Sequence, residues 1–176
     1  MHRCLSLVFA FCATSLLFGQ SGARMNLTST SFASGGSIPK KYTCDAEDNS
    51  PALSWNGAPP VTKSFVLIAD DPDAPAGTWT HWMLFDLPSS TSSLSENVSK
   101  VDQPPSGGKQ GRNDFGKTGY GGPCPPPGSP HHYHFALYAL NAKLDLKPGA
   151  SRAQVEQAMK GRVVAGGELV GTYGRR

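Results

Sequence analysis

The chain has 176 residues, with 16 Lys or Arg against 13 Asp or Glu for a net charge of +3, and it carries 20 glycines and 15 prolines. A charge this near balance, without a cluster of Lys and Arg, excludes the electrostatic footprint of a nucleic-acid binder. The length fits one domain able to bury a core of its own.

Residues 1–23 read as a secretory signal peptide. Arg3 precedes an apolar run from Leu5 to Phe18, and the small and polar residues Gly19-Gln-Ser-Gly-Ala23 invite cleavage near Ala23. The run falls short of the roughly 20 apolar residues that a membrane span needs, so no stable membrane insertion is expected. The domain proper, residues 25–176, is expected to be exported, to a periplasm or the exterior. Cys4 and Cys12 leave with the signal, and Cys44 and Cys124 remain. In an exported chain these two are either a disulfide or a pair of thiols.

Short apolar runs punctuated by Gly and Pro predict a mostly β chain. Leu53-Ser-Trp55 reads as a short strand. Ser64 to Asp70 is almost continuously apolar, the pattern of a central strand covered on both faces. Asp71 ends that strand because Pro72 has no N–H to continue the ladder. Trp82 to Leu87 and Tyr133 to Leu140 have similar character. Between them, the stretch from Val101 to Gly122 is long, polar and aperiodic, as functional or disordered loops are. Ser151 and Gln154 form a capping box that opens a helix over Arg152 to Lys160, and Gly161 is placed to end it. Two strand-like stretches, Arg162 to Ala165 and Glu168 to Tyr173, close the chain.

Strand alternation places His131, Tyr133, Phe135 and Leu137 on one face and His132, His134, Ala136 and Tyr138 on the other. His131 and Tyr133 can therefore share a pocket that His132 and His134 do not enter. The same rule groups His81 with Met83 and Phe85, opposed to Trp82. A carboxylate at Asp71 can accept the N–H of an imidazole and fix its tautomer, leaving the other nitrogen to a ligand. Gly121-Gly122 permits close backbone approach or positive φ and so offers amide donors to an anion. Lys40, Lys41, Arg175 and Arg176 read as solvated charges.

Asp71-Pro-Asp-Ala-Pro75, the strand His81-Trp-Met-Leu ending at Pro88, Asp114 to Pro126 with its Gly-Tyr-Gly-Gly-Pro-Cys-Pro-Pro core, and His131-His-Tyr-His-Phe resemble the phosphatidylethanolamine-binding protein family, in its bacterial Raf-kinase-inhibitor-like (YbhB/YbcL-type) branch. Tyr42-Thr-Cys-Asp45, Ser50 to Trp55 and Glu168 to Tyr173 match as well, so the resemblance covers essentially all of the chain from Met25. It implies two antiparallel β-sheets packed together, a few short peripheral helices, and a pocket for phosphate or a phosphorylated head group. Matched motif by motif, Asp71, His81, His131 and Tyr133 fall on pocket positions, with Gly121, Gly122, Pro123 and Cys124 alongside and Tyr173 near the end of the chain. Asp73 is expected to fix the loop rather than touch ligand.

The function so implied is that of an exported, non-catalytic binding protein for a small anion, which can modulate an exported protein partner. No cofactor is implied. A hydrolase or transferase is the alternative, with Asp71, His81 and His131 moving protons and Cys124 as nucleophile. A metal held by Asp71, His81 and His131 is the third reading.

Overall fold

The computed structural model describes residues 23–175. The segment read as a signal peptide, residues 1–23 with Cys4 and Cys12, lies outside the described residues except for Ala23, and so does the terminal Arg176.

The chain runs as β1 (Ala23–Arg24), β2 (Asn26–Thr28), a 3-10 turn (Lys40–Tyr42), β3 (Leu53–Asn56), β4 (Ser64–Asp71), β5 (Trp79–Pro88), β6 (Ser93–Leu94), β7 (Lys109–Gln110), β8 (His131–Leu140), α1 (Arg152–Met159) and β9 (Val163–Tyr173). Six strands form one sheet in the order β1-β9-β8-β4-β5-β7, and β2-β3-β6 form a second, three-stranded sheet. Pairing is antiparallel between these strands except where β1 runs parallel to β9 at the edge of the large sheet.

The continuous apolar run of β4 is explained by what covers it. Phe65, Leu67 and Ala69 face the small sheet and join Leu27, Leu53, Trp55, Trp82 and Phe135 in the larger core. Val66 and Ile68 face the other way, into a second core with Met83, Phe85, Val155 and Met159. The result is three layers: small sheet, large sheet and α1. Side chains of this size contribute about 1.5–3 kcal/mol each when fully buried. Trp82 also needs a partner for its indole N–H, and Gln110 supplies it at 2.7 Å while its own amide donates to the carbonyls of Ser99 and Val101. The aperiodic stretch from Val101 to Gly122 is thereby tied to the core through one buried side chain.

The helix begins as its capping box predicts. The Ser151 hydroxyl accepts from Gln154 N, and Gln154 Oε1 accepts from Ser151 N at 2.9 Å. The two stretches expected before and after Gly166-Gly167 form one strand, β9. Gly167 is needed there, because a Cβ would stand 2.7 Å from the carbonyl oxygen of Met25 where the two sheets approach.

Candidate functional site

Antiparallel order brings the end of β4, the beginning of β5, the beginning of β8 and the end of β9 to one edge of the large sheet. Asp71 is opposite Trp79 and His131 is opposite Tyr173. Asp71, Tyr133 and His81 are nearly inaccessible to solvent there. Asp71 Oδ2 accepts the Nδ1–H of His131 at 2.7 Å, and Asp71 Oδ1 accepts the backbone N–H of Asp73 at 2.9 Å. Asp73 ties its loop to the start of β8. Its carboxylate takes both the backbone N–H and the Nδ1–H of His132, each at 2.8 Å.

His81 reaches this cluster by a route that alternation alone does not give. Ala69 pairs with Trp82 but Asp70 pairs with Thr80, so β5 carries His81 as an extra residue in a β-bulge. A bulge of this kind re-aims side chains. His81 consequently leaves the face of Met83 and Phe85, which lie in the helix-side core, and packs edge-on to Tyr133 at 5.2 Å. This corrects the sequence expectation that His81, Met83 and Phe85 point together. Phe115 lies edge-on to His81 at 5.3 Å and to Trp79 at 5.5 Å, forming an outer cover that the sequence did not single out.

His81 Nδ1–H donates to the carbonyl of Gly121 at 2.7 Å, while Gly121 N donates back to His81 O at 3.0 Å. Gly122 N donates to Asp48 Oδ1 at 2.6 Å, and Lys100 holds the other oxygen of Asp48 at 2.6 Å. The amides of Gly121 and Gly122 are thus consumed within the protein. The expectation that they present donors to an anion is corrected; the close approach allowed by glycine serves instead to aim the Gly121 carbonyl at His81. Pro123 O accepts Cys44 N at 3.1 Å, and Cys124 is bonded to Cys44 with Cα atoms 5.4 Å apart. A bonded Cys124 offers no thiol nucleophile, which removes that element of the hydrolase reading.

Both imidazoles are therefore pinned through Nδ1, and among the described residues Nε2 of neither ring has a hydrogen-bond partner. The buried Tyr133 hydroxyl lies near the Asp71 carboxylate but closes no hydrogen bond of good geometry. Burial holds His81 below the usual imidazole range, opposed by the Gly121 carbonyl and the charge of Asp71. Burial also pushes Tyr133 well above the usual phenol range, followed by the charge of Asp71, so both rings are neutral near pH 7. Because His81 has its pKa lowered by folding, the unfolded chain takes up this proton first as pH falls below about 6.5, and the ring then costs stability in acid.

An open cleft of about 390 Å³ meets this cluster at His131 and is lined also by Asp73, Pro126 to Pro130 and His132. His132 was not expected beside the pocket, and it stands on the cleft through its pairing with Asp73. His134 is apart from it, paired with Glu168 at 2.8 Å. Among the described residues no group of three or more His, Cys, Asp and Glu side chains is arranged to hold a metal ion.

Tyr173, beside His131 by register, donates its hydroxyl to Asp45 Oδ2 at 2.7 Å. Arg175 was read as a solvated charge, and the structure corrects this. It engages both oxygens of Asp45 through Nε at 3.0 Å, with Nη2 at 2.5 Å from Oδ1. Neither Asp45 nor Arg175 carried a local signal, since 130 residues separate them in the chain.

The architecture and the site together define a two-sheet β protein with a carboxylate-pinned imidazole cluster at one sheet edge. The model of the phosphatidylethanolamine-binding protein family matches residues 28–174, and the chain belongs to that family. It is 53% identical over 161 residues to a UPF0098 protein of Aquifex aeolicus, covering 90% of this chain and 94% of that one. It is 35% identical to the UPF0098 protein YbcL of Escherichia coli, with 96% of each chain covered. The crystal structure of that YbcL superposes with a TM-score of 0.80, covering 86% of this chain and 99% of the other. A phosphatidylethanolamine-binding protein homologue from Chlamydia trachomatis gives 0.79 at 40% identity, covering 87% of this chain and 99% of that one.

Proposed function

We propose that the protein is an exported binding protein that holds a small anion, phosphate or a phosphorylated head group, at His81, His131 and Tyr133, and that it acts by modulating a protein partner. The observation that carries the reading is the pair of imidazoles fixed through Nδ1 by Asp71 and by Gly121 O, with both Nε2 atoms and the Tyr133 hydroxyl left without partners. A buried hydroxyl without a partner costs about 1–3 kcal/mol, which an oxyanion would recover. The family name supports a phosphorylated ligand. Export is supported by Arg3 and the apolar run that follows, and the Cys44–Cys124 bond suits an oxidising compartment. No helix among the described residues is long and apolar enough to cross a membrane.

For Nε2 of both imidazoles to donate to an anion, each ring must carry a second proton. Burial disfavours that proton on His81 in the free protein. Anion binding is therefore coupled to proton uptake, and affinity falls as pH rises through the imidazole range. Calorimetric titration with phosphate and with phosphoethanolamine, at about pH 5.5 and about pH 8, is expected to show tighter binding in acid. His131→Ala is expected to weaken phosphate binding about thirtyfold, the worth of one charge-assisted hydrogen bond. Equal affinity at the two pH values would exclude the imidazolium role. Unchanged affinity in His131→Ala would move the ligand away from this cluster.

A further inference from the structure

Asp45, Tyr173 and Arg175 form a second polar cluster contiguous with the first. Tyr173 is the cross-strand neighbour of His131, and the backbone of Arg175 bridges Pro127 in the wall of the cleft. The guanidinium offers Nε and Nη2 to the same carboxylate, and the Tyr173 hydroxyl adds a third donor at 2.7 Å. A planar guanidinium fork with a phenol beside it is a recognition element for oxyanions in general, phosphate as well as carboxylate. Here the oxyanion is supplied by the protein itself.

We propose that Arg175 and Tyr173 are the second half of the anion site, that Asp45 is its resident occupant, and that a phosphoryl group entering over His131 displaces Asp45 from Arg175. The inference rests on the anion-binding reading above and extends it by naming the group the ligand must compete with. The exchange is open to solvent, since the side chains of Asp45 and Arg175 retain 21% and 33% of their exposure. Asp45 is also a permanent competitor. Its hydrogen bonds from Arg175 and then Tyr173 hold the carboxyl down at about 2, so it is ionised at neutral pH. Without the exchange, the residues lining the cleft offer a phosphate dianion positive charge only through the imidazoles of His131 and His132 once they carry a second proton. With it, one guanidinium becomes available at no cost in protons.

The test is titration with inorganic phosphate, at one pH and ionic strength, of the wild-type domain, Asp45→Asn, Arg175→Gln and the double variant, with thermal melts of each. Asp45→Asn is isosteric and releases Arg175, so it is expected to bind phosphate about thirtyfold more tightly, the equivalent of one hydrogen bond to a charged group. Arg175→Gln is expected to bind more weakly than wild type, and the double variant to lose the gain. If Asp45→Asn gains nothing while wild type binds, the displacement is wrong and the anion reading stands. If the gain persists in the double variant, Asp45 acts only by repulsion and Arg175 has no part. If neither wild type nor Asp45→Asn binds, both readings fall. Should Asp45→Asn fail to fold, Arg175→Lys decides: it keeps the charge and loses the fork, and is expected to melt within a few degrees of wild type with several-fold weaker phosphate binding. Wild-type affinity in that variant would overturn the proposal.

Discussion

Replacing Cys44 and Cys124 together by alanine is expected to lower the unfolding free energy by about 4.5 kcal/mol, the chain-entropy limit for a loop of this size. The sequence separation of 80 residues sets that figure, because the bond removes loop-closure entropy from the unfolded chain. Two hydrogen bonds span the same junction without the disulfide, Cys44 N to Pro123 O at 3.1 Å and Gly122 N to Asp48 Oδ1 at 2.6 Å. Their combined worth is on the order of 2–4 kcal/mol, and they persist in the variant. The folded geometry should therefore survive while the unfolded ensemble expands. Urea unfolding of the oxidised protein and of the variant measures both effects, with a lower midpoint and a steeper denaturant dependence expected. A loss below about 1 kcal/mol would mean that the unfolded chain is already constrained at this junction by residual structure.

Gly122→Ala is the second large effect. A Cβ at this position would stand 2.4 Å from Tyr42 O, 2.7 Å from Asp48 Oδ1 and 2.9 Å from Thr43 Cα, so backbone as well as the Asp48 carboxylate opposes it. The loop has to move, and overpacking of this severity costs about 3 kcal/mol. The movement also withdraws the Gly121 carbonyl that fixes the His81 tautomer. The Nδ1–H of His81, engaged at 2.7 Å in the native protein, should lose its protected imidazole proton signal by NMR. Gly166→Ala is the control, since its Cβ would meet only Leu137 O at 3.7 Å. If Gly122→Ala matched that control in stability and kept the His81 signal, the loop would not be what holds the imidazole.

Much of this was legible in the sequence for identifiable reasons. The strands around Ser64 to Asp70 and Tyr133 to Leu140 carry continuous or alternating apolar patterns, and Ser151 with Gln154 announces the helix by a purely local device. Asp71, His131 and Tyr133 converge because strand ends and the period of two could be counted. His81 could not be placed in this way. A bulge adds one residue to one strand without changing composition, and the count of faces slips by one from that point. Asp45 with Arg175 and Asp48 with Gly122 were also out of reach. Each is a polar contact made across the chain, and a carboxylate in a charged segment such as Lys40 to Ser50 looks the same whether water or a guanidinium is its partner.

The groups at the sheet edge come from β4, β5, β8, β9 and from loops near residues 45 and 121, so no contiguous stretch of chain holds even half of them. Such a site does not exist in any partly folded segment. It is completed only when the central strands have all paired, which makes occupancy a readout of the whole molecule's cooperativity rather than of a local flap. A bound anion should accordingly slow amide exchange deep in β4 and β8, far from the cleft, by the same free energy with which it raises the global stability of the fold.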